Sequence, residues 1–189
     1  MAIQARYFKK RVVMKMIYRI SKKYGPQSSD WEAYLEWSGL QNCQEFYSID
    51  GIKRKGLFIP WTVEEWENCV NADFKINLIT NLAYAKKIIS DYDEGEILGL
   101  IENPGFSSEE IPLDHILMGY DILDEYNDIS LLTNWGGKKR GIQNLTLNRY
   151  ALLDDIDYAY QLKEMLHKNF PDDEHARACE VWSVYKIAS

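Results

Sequence analysis

The densest run of chemically capable side chains lies between Asp114 and Trp135. Asp114 and His115 are adjacent, and Asp121, Asp124, Glu125, Tyr126 and Asp128 follow. An imidazole among carboxylates can move a proton, and two carboxylates at the right separation can share acid and base roles. Spacing limits this chemistry. On a strand, His115, Leu117, Gly119, Asp121 and Leu123 share one face, and ~3.3 Å per residue puts His115 about 20 Å from Asp121. The two cannot hold one ion directly. A small hydrolase or transferase around Asp114, His115 and Asp121 is therefore the alternative expectation.

Other motifs fail where their chemistry is strictest. Asp91, Asp93 and Glu102 are spaced like ligands of a calcium loop, but Gly95 and Glu96 stand where an oxygen ligand and a glycine are required. The Gly136–Gly141 loop, with Lys138, Lys139 and Arg140, offers N–H groups and cations to a phosphate. It is no P-loop, because Ile142 and Gln143 replace the necessary Lys and Ser/Thr. Cys43, Cys69 and Cys179 lack any metal-ligand spacing and read as reduced thiols. No metal or cofactor is expected. His175 follows the acidic run Asp172-Asp173-Glu174.

Charge is the stronger signal. The net charge of −7 hides two opposed blocks: residues 1–25 carry eight Lys and Arg and no acid, whereas residues 88–137 carry twelve acids and no Lys or Arg. Surfaces normally intersperse both signs. A one-signed field attracts a basic protein and repels nucleic acid. The basic block suits a Lys/Arg-lined edge strand, and it also allows contact with the acidic face of a second copy, a homo-oligomer. A pI near 5.0 argues against nucleic-acid binding.

The leading expectation is thus an acidic interaction protein that binds a basic partner, in the manner of an immunity-type inhibitor of a toxin or nuclease. Its contact residues would be Asp121, Asp124, Glu125, Tyr126, Asp128 and Trp135. No apolar run approaches the ~20 residues of a membrane span, and no apolar stretch follows the basic start, so a cytoplasmic location is expected.

Behind these residues, the pattern predicts one α+β domain over 1–189: a mostly antiparallel sheet with three to four helices packed on it. Alternation over 10–20 predicts a strand with one buried face. Ser29 and Glu32 in capping-box spacing open a helix that Gly39 ends. Residues 45–60 read as extended, and Thr62 and Glu65 open a second helix with Val63, Trp66 and Val70 inward. A third runs over 76–90. The apolar run 96–103 predicts a buried strand. Residues 115–123 and 129–135 predict a hairpin, 156–170 a helix capped by Asp154 or Asp155, and 179–187 a last strand.

Overall fold

The structure, a computed structural model, describes residues 16–50, 53, 78–93, 95–105, 111–126, 129–135, 142 and 145–188. The basic residues of 1–15, the helix expected from Thr62 to Val70, Cys69, Asp128 and the Gly136–Gly141 loop lie outside the described residues.

The described chain forms an α+β fold with one antiparallel sheet of five strands and three helices. In chain order these are β1 (Ile17–Lys22), α1 (Trp31–Ser38), β2 (Leu78–Ile79), α2 (Leu82–Ile89), β3 (Gly95–Glu102), β4 (His115–Leu123), α3 (Ile156–Asn169) and β5 (Glu180–Ile187). The spatial order is β2-β1-β3-β5-β4. No described helix is long and apolar enough to cross a membrane.

The two sheet faces are built differently. On one, α2 packs on β1 and β3, and α3 packs on β4 and β5. Helical spacing brings Ala85 and Ile88 onto Tyr18, Ile20 and Ile79, and Ala159, Leu162 and Leu166 onto Ile122 and Val181. Asn81 and Asp155 cap α2 and α3 through their side chains. On the other face, Leu98, Leu100, Trp182 and Val184 meet Tyr47, Ile49 and Leu152, which belong to segments without helix. Beside them α1 contributes to an aromatic cluster of Tyr24, Trp31, Tyr34 and Phe46.

Four expectations are corrected. First, β1 is no edge strand over its paired residues. It lies between β2 and β3, and Arg19 is buried, donating to the Ile49 carbonyl at 2.5 Å. Second, Leu78 belongs to a short strand, and α2 begins only after its Asn81 cap. Third, 115–123 and 129–135 form no hairpin. β4 pairs along its length with β5, and the backbone of 129–135 pairs with it at a single bridge, Leu123 to Ser130, before turning away. The long partner wins because β5 extends a full apolar ladder, whereas Asn134-Trp135-Gly136 breaks the shorter run. Ser29 and Glu32 also form no box; Asp30 is the α1 cap residue and makes no side-chain cap bond.

Candidate functional site

β4 decides which of the expected site residues meet. Its register on β5 shifts between Leu117 and Gly119, so one residue bulges at Met118. Before the bulge His115 opposes Ile187; after it Asp121 opposes Trp182. Ile187 and Trp182 are an odd number of residues apart, so His115 and Asp121 point to opposite faces of the sheet. Gly119 makes the bulge possible. Its φ is +142°, and a Cβ there would lie 2.6 Å from the Leu153 carbonyl oxygen.

On the helix-covered face, His115 Nδ1 lies 2.8 Å from Asp114 Oδ1. That hydrogen bond holds the Asp114 carboxyl below its ordinary range. The imidazole is fully buried, its Nε2 has no hydrogen-bond partner among the described residues, and its ring meets Tyr18 edge-on at 6.0 Å. An Asp–His pair is half of an acid/base device. The second carboxylate expected for it, Asp121, is on the far side of the sheet.

On the loop-covered face, Asp121 is completely buried and accepts four hydrogen bonds. Ser48 Oγ and the Ile49 N–H reach Oδ2 at 2.8 and 2.9 Å. Ser130 Oγ and the Ile122 N–H reach Oδ1 at 2.6 and 2.8 Å. Burial pushes its carboxyl up to about 6, against the pull of these donors. Asp50, also buried, accepts from the Ser130 and Lys53 N–H groups. Asp124 accepts from the Ile129 N–H at 3.2 Å and bonds His175 Nδ1 at 3.0 Å.

Burial divides the expected contact set. Asp121 and Asp124 are 0% and 1% exposed, so neither offers a charge to a partner. Trp135 is half-buried, with its indole N–H donating to Asp173 at 3.3 Å and its ring edge-on to Phe170. Glu125 and Tyr126 remain at the surface, Tyr126 62% exposed. Asp128 lies outside the described residues.

The described acids of the Lys- and Arg-free window do not share one patch. Asp91, Asp93 and Asp114 lie at the end of the sheet where β3 and β4 begin, and Glu125 follows β4 at the other end. Glu125 and Tyr126 instead gain neighbours from the 172–177 turn, which sequence reading had linked only to His175. The buried Asp124 holds His175, and His175 Nε2 is 3.4 Å from Glu174. Arg177 reaches Glu125 at 3.6 Å. The Tyr126 phenol is held above its ordinary value, first by its hydrogen bond to Glu125, with the Glu174 charge adding to it and Arg177 opposing. Asp172 and Glu174 are exposed in that turn. The result is a rim in which Glu125 and Glu174 act on an exposed tyrosine, with Asp172 in the same turn as Glu174. The Pro171-to-Glu174 run was a visible signal of a charged loop; its position beside Tyr126 is tertiary.

The remaining candidates carry less. β3 runs straight from Gly95 to Glu102, so Glu102 does not fold back on Asp91 and Asp93 as a calcium loop requires. Among the described residues, no three His, Cys, Asp or Glu side chains converge as a metal site. Cys43 and Cys179 are free buried thiols, pushed up to about 12 by burial. His167 contacts the Cys179 carbonyl, a contact between α3 and the start of β5. Comparison with protein-family models, curated proteins and solved structures gave no match.

Proposed function

We propose that this chain is an interaction protein that binds a basic protein partner, in the manner of an immunity-type inhibitor covering a cationic site. The contact centre is the rim of Glu125, Tyr126, Asp172 and Glu174. The observation that carries it is the joining of two loops by one buried carboxylate. Asp124 bonds His175, and the Glu125 and Glu174 carboxylates both act on the Tyr126 phenol. An exposed tyrosine beside two carboxylates has the composition of a binding hot spot for Arg- and Lys-rich surfaces. A rigid support beneath it lowers the ordering cost of association.

Charge reversal tests it. Glu125→Lys with Glu174→Lys should weaken association with a copurified basic partner by at least about tenfold and flatten its salt dependence, because rim charges act through the screened field. Both side chains are exposed, so the fold should be retained; unchanged affinity and salt slope would remove the rim from the interface.

A further inference from the structure

At the opposite end of the sheet from the acidic rim, the chain leaves an open cleft of about 770 Å³. It forms where β1 ends, β3 begins and β5 ends, because the register sets Lys22 against Gly95 and Leu98 against Lys186. Its volume is within the range of small-molecule sites, roughly 300–1,000 Å³.

Three ammonium groups reach this cleft from three separate parts of the chain: Lys23 after β1, Lys86 on α2 and Lys186 on β5. They face two carboxylates, Glu45 and Glu96. The cations are not equally engaged. Lys186 sits 5.5 Å from the Tyr47 ring centroid, and its ammonium is favoured by the Tyr47 hydroxyl and by Glu45 and Glu96. Lys86 is 3.9 Å from Asp114, whose carboxylate is already held by His115 at 2.8 Å. Lys23 is exposed and makes no ion pair among the described residues. The walls between them are apolar, with Ile97 and Ile187 half-buried and Phe46 and Tyr47 packed behind.

We propose that this cleft binds a small organic anion, with Lys23 and Lys86 taking the negative group and Ile97 and Ile187 covering a ring-sized apolar body. Lys23 and Lys86 supply the attraction, Lys86 beside an Asp114 carboxylate already bonded to His115, while Glu45 and Glu96 both act on Lys186 and disfavour an anion there. An inorganic anion would use the lysines and leave the apolar wall uncovered. The site is separate from the acidic rim, so its failure leaves the proposed partner contact untouched.

The test is an amide-resolved NMR titration of the whole chain with phenyl phosphate, and in parallel with inorganic phosphate and benzylammonium. Phenyl phosphate should give saturable shifts confined to residues 23–27, 86–90 and 95–97, and should bind at least about fivefold tighter than inorganic phosphate, the gain of covering one ring. Lys23→Gln with Lys86→Gln should weaken it by at least about fivefold, whereas Lys168→Gln at the end of α3 should not. Equal binding of phosphate and phenyl phosphate would overturn the apolar part of the proposal. Saturable binding of benzylammonium, an unaffected double variant, or no saturation in these segments would overturn the whole.

Discussion

The two faces of the sheet solve the same burial problem with different materials. The helix-covered face is sealed by apolar side chains at helical spacing, because α2 and α3 satisfy their own backbones and need only a dry stripe. The loop-covered face has only scattered internal bonds of this kind, such as Asn134 N–H to the Ser130 carbonyl and Asn148 N–H to the Leu152 carbonyl. Segments 46–50, 129–135 and 147–153 carry N–H groups with no helix to accept them, so side-chain oxygens enter the interior to do so. Asp121 takes the Ile49 N–H, Asp50 the Ser130 and Lys53 N–H groups, and Asn148 Oδ1 those of Tyr150 and Leu152. A layer without regular structure therefore needs buried polar residues, and an acid in such a chain is as much a structural part as a surface charge.

The sharpest way to break this contrast is to remove one support from each face. Asp121→Leu leaves two N–H groups and two hydroxyls without their acceptor and should destabilise by about 3–5 kcal/mol. Leu166→Ala, a fully buried α3 side chain, should lose about 3 kcal/mol through the cavity. Urea unfolding of both variants checks the order. If Asp121→Leu proved the milder, apolar contact alone would hold the loop layer.

A smaller effect separates the faces by pH. The Asp121 carboxyl lies at about 6 folded against 3.8 for an ordinary aspartate, so the folded chain binds this proton more tightly. Its contribution is fully present below 3.8 and is lost as pH rises through about 6, a change of about 2–3 kcal/mol. Asp173 acts the other way. Burial raises it, but the Ala176 and His175 N–H groups and the Trp135 indole hold it below its ordinary value, so its stabilisation fades as pH falls below the usual carboxylate range. Unfolding midpoints from pH 4.5 to 7.5 should fall with rising pH, and Asp121→Asn should flatten that slope. A slope identical in the variant would place the titration elsewhere.

The least effect belongs to a local feature. Asp155→Ala removes the α3 cap bond to the Tyr158 N–H and should lose about 1 kcal/mol, readable as a small drop in thermal midpoint. A loss as large as that of Leu166→Ala would show that Asp155 does more than cap.

The same contrast explains what the amino-acid sequence revealed. β3, β5 and α3 were legible because each carries its own period: a continuous apolar run, a β-branched and aromatic run, and Ala159, Leu162 and Leu166 behind an Asp cap. Gly39 ended α1 as expected, at φ 79°. The loop-covered face was not legible, since its order comes from contacts between residues 48, 121 and 130 that no local pattern records. Asp121 inside the apolar run 116–123 was the available hint, an acid at buried-strand spacing. The bulge at Met118 hid the rest by reversing which face each later residue takes. Of the expected contact residues, Glu125 and Tyr126 are at the surface, while Asp121 and Asp124 work beneath it.

The most direct measurement of the proposed partner contact is site-specific photo-crosslinking in cells, with a photoreactive amino acid placed at Tyr126 and, as a control, at Tyr158 on α3, the two being 62% and 40% exposed. The expected result is one basic protein captured from Tyr126 and not from Tyr158, with capture lost in the Glu125→Lys, Glu174→Lys background. Equal capture from both positions, or capture that survives the charge reversal, would contradict an acidic rim centred on Tyr126.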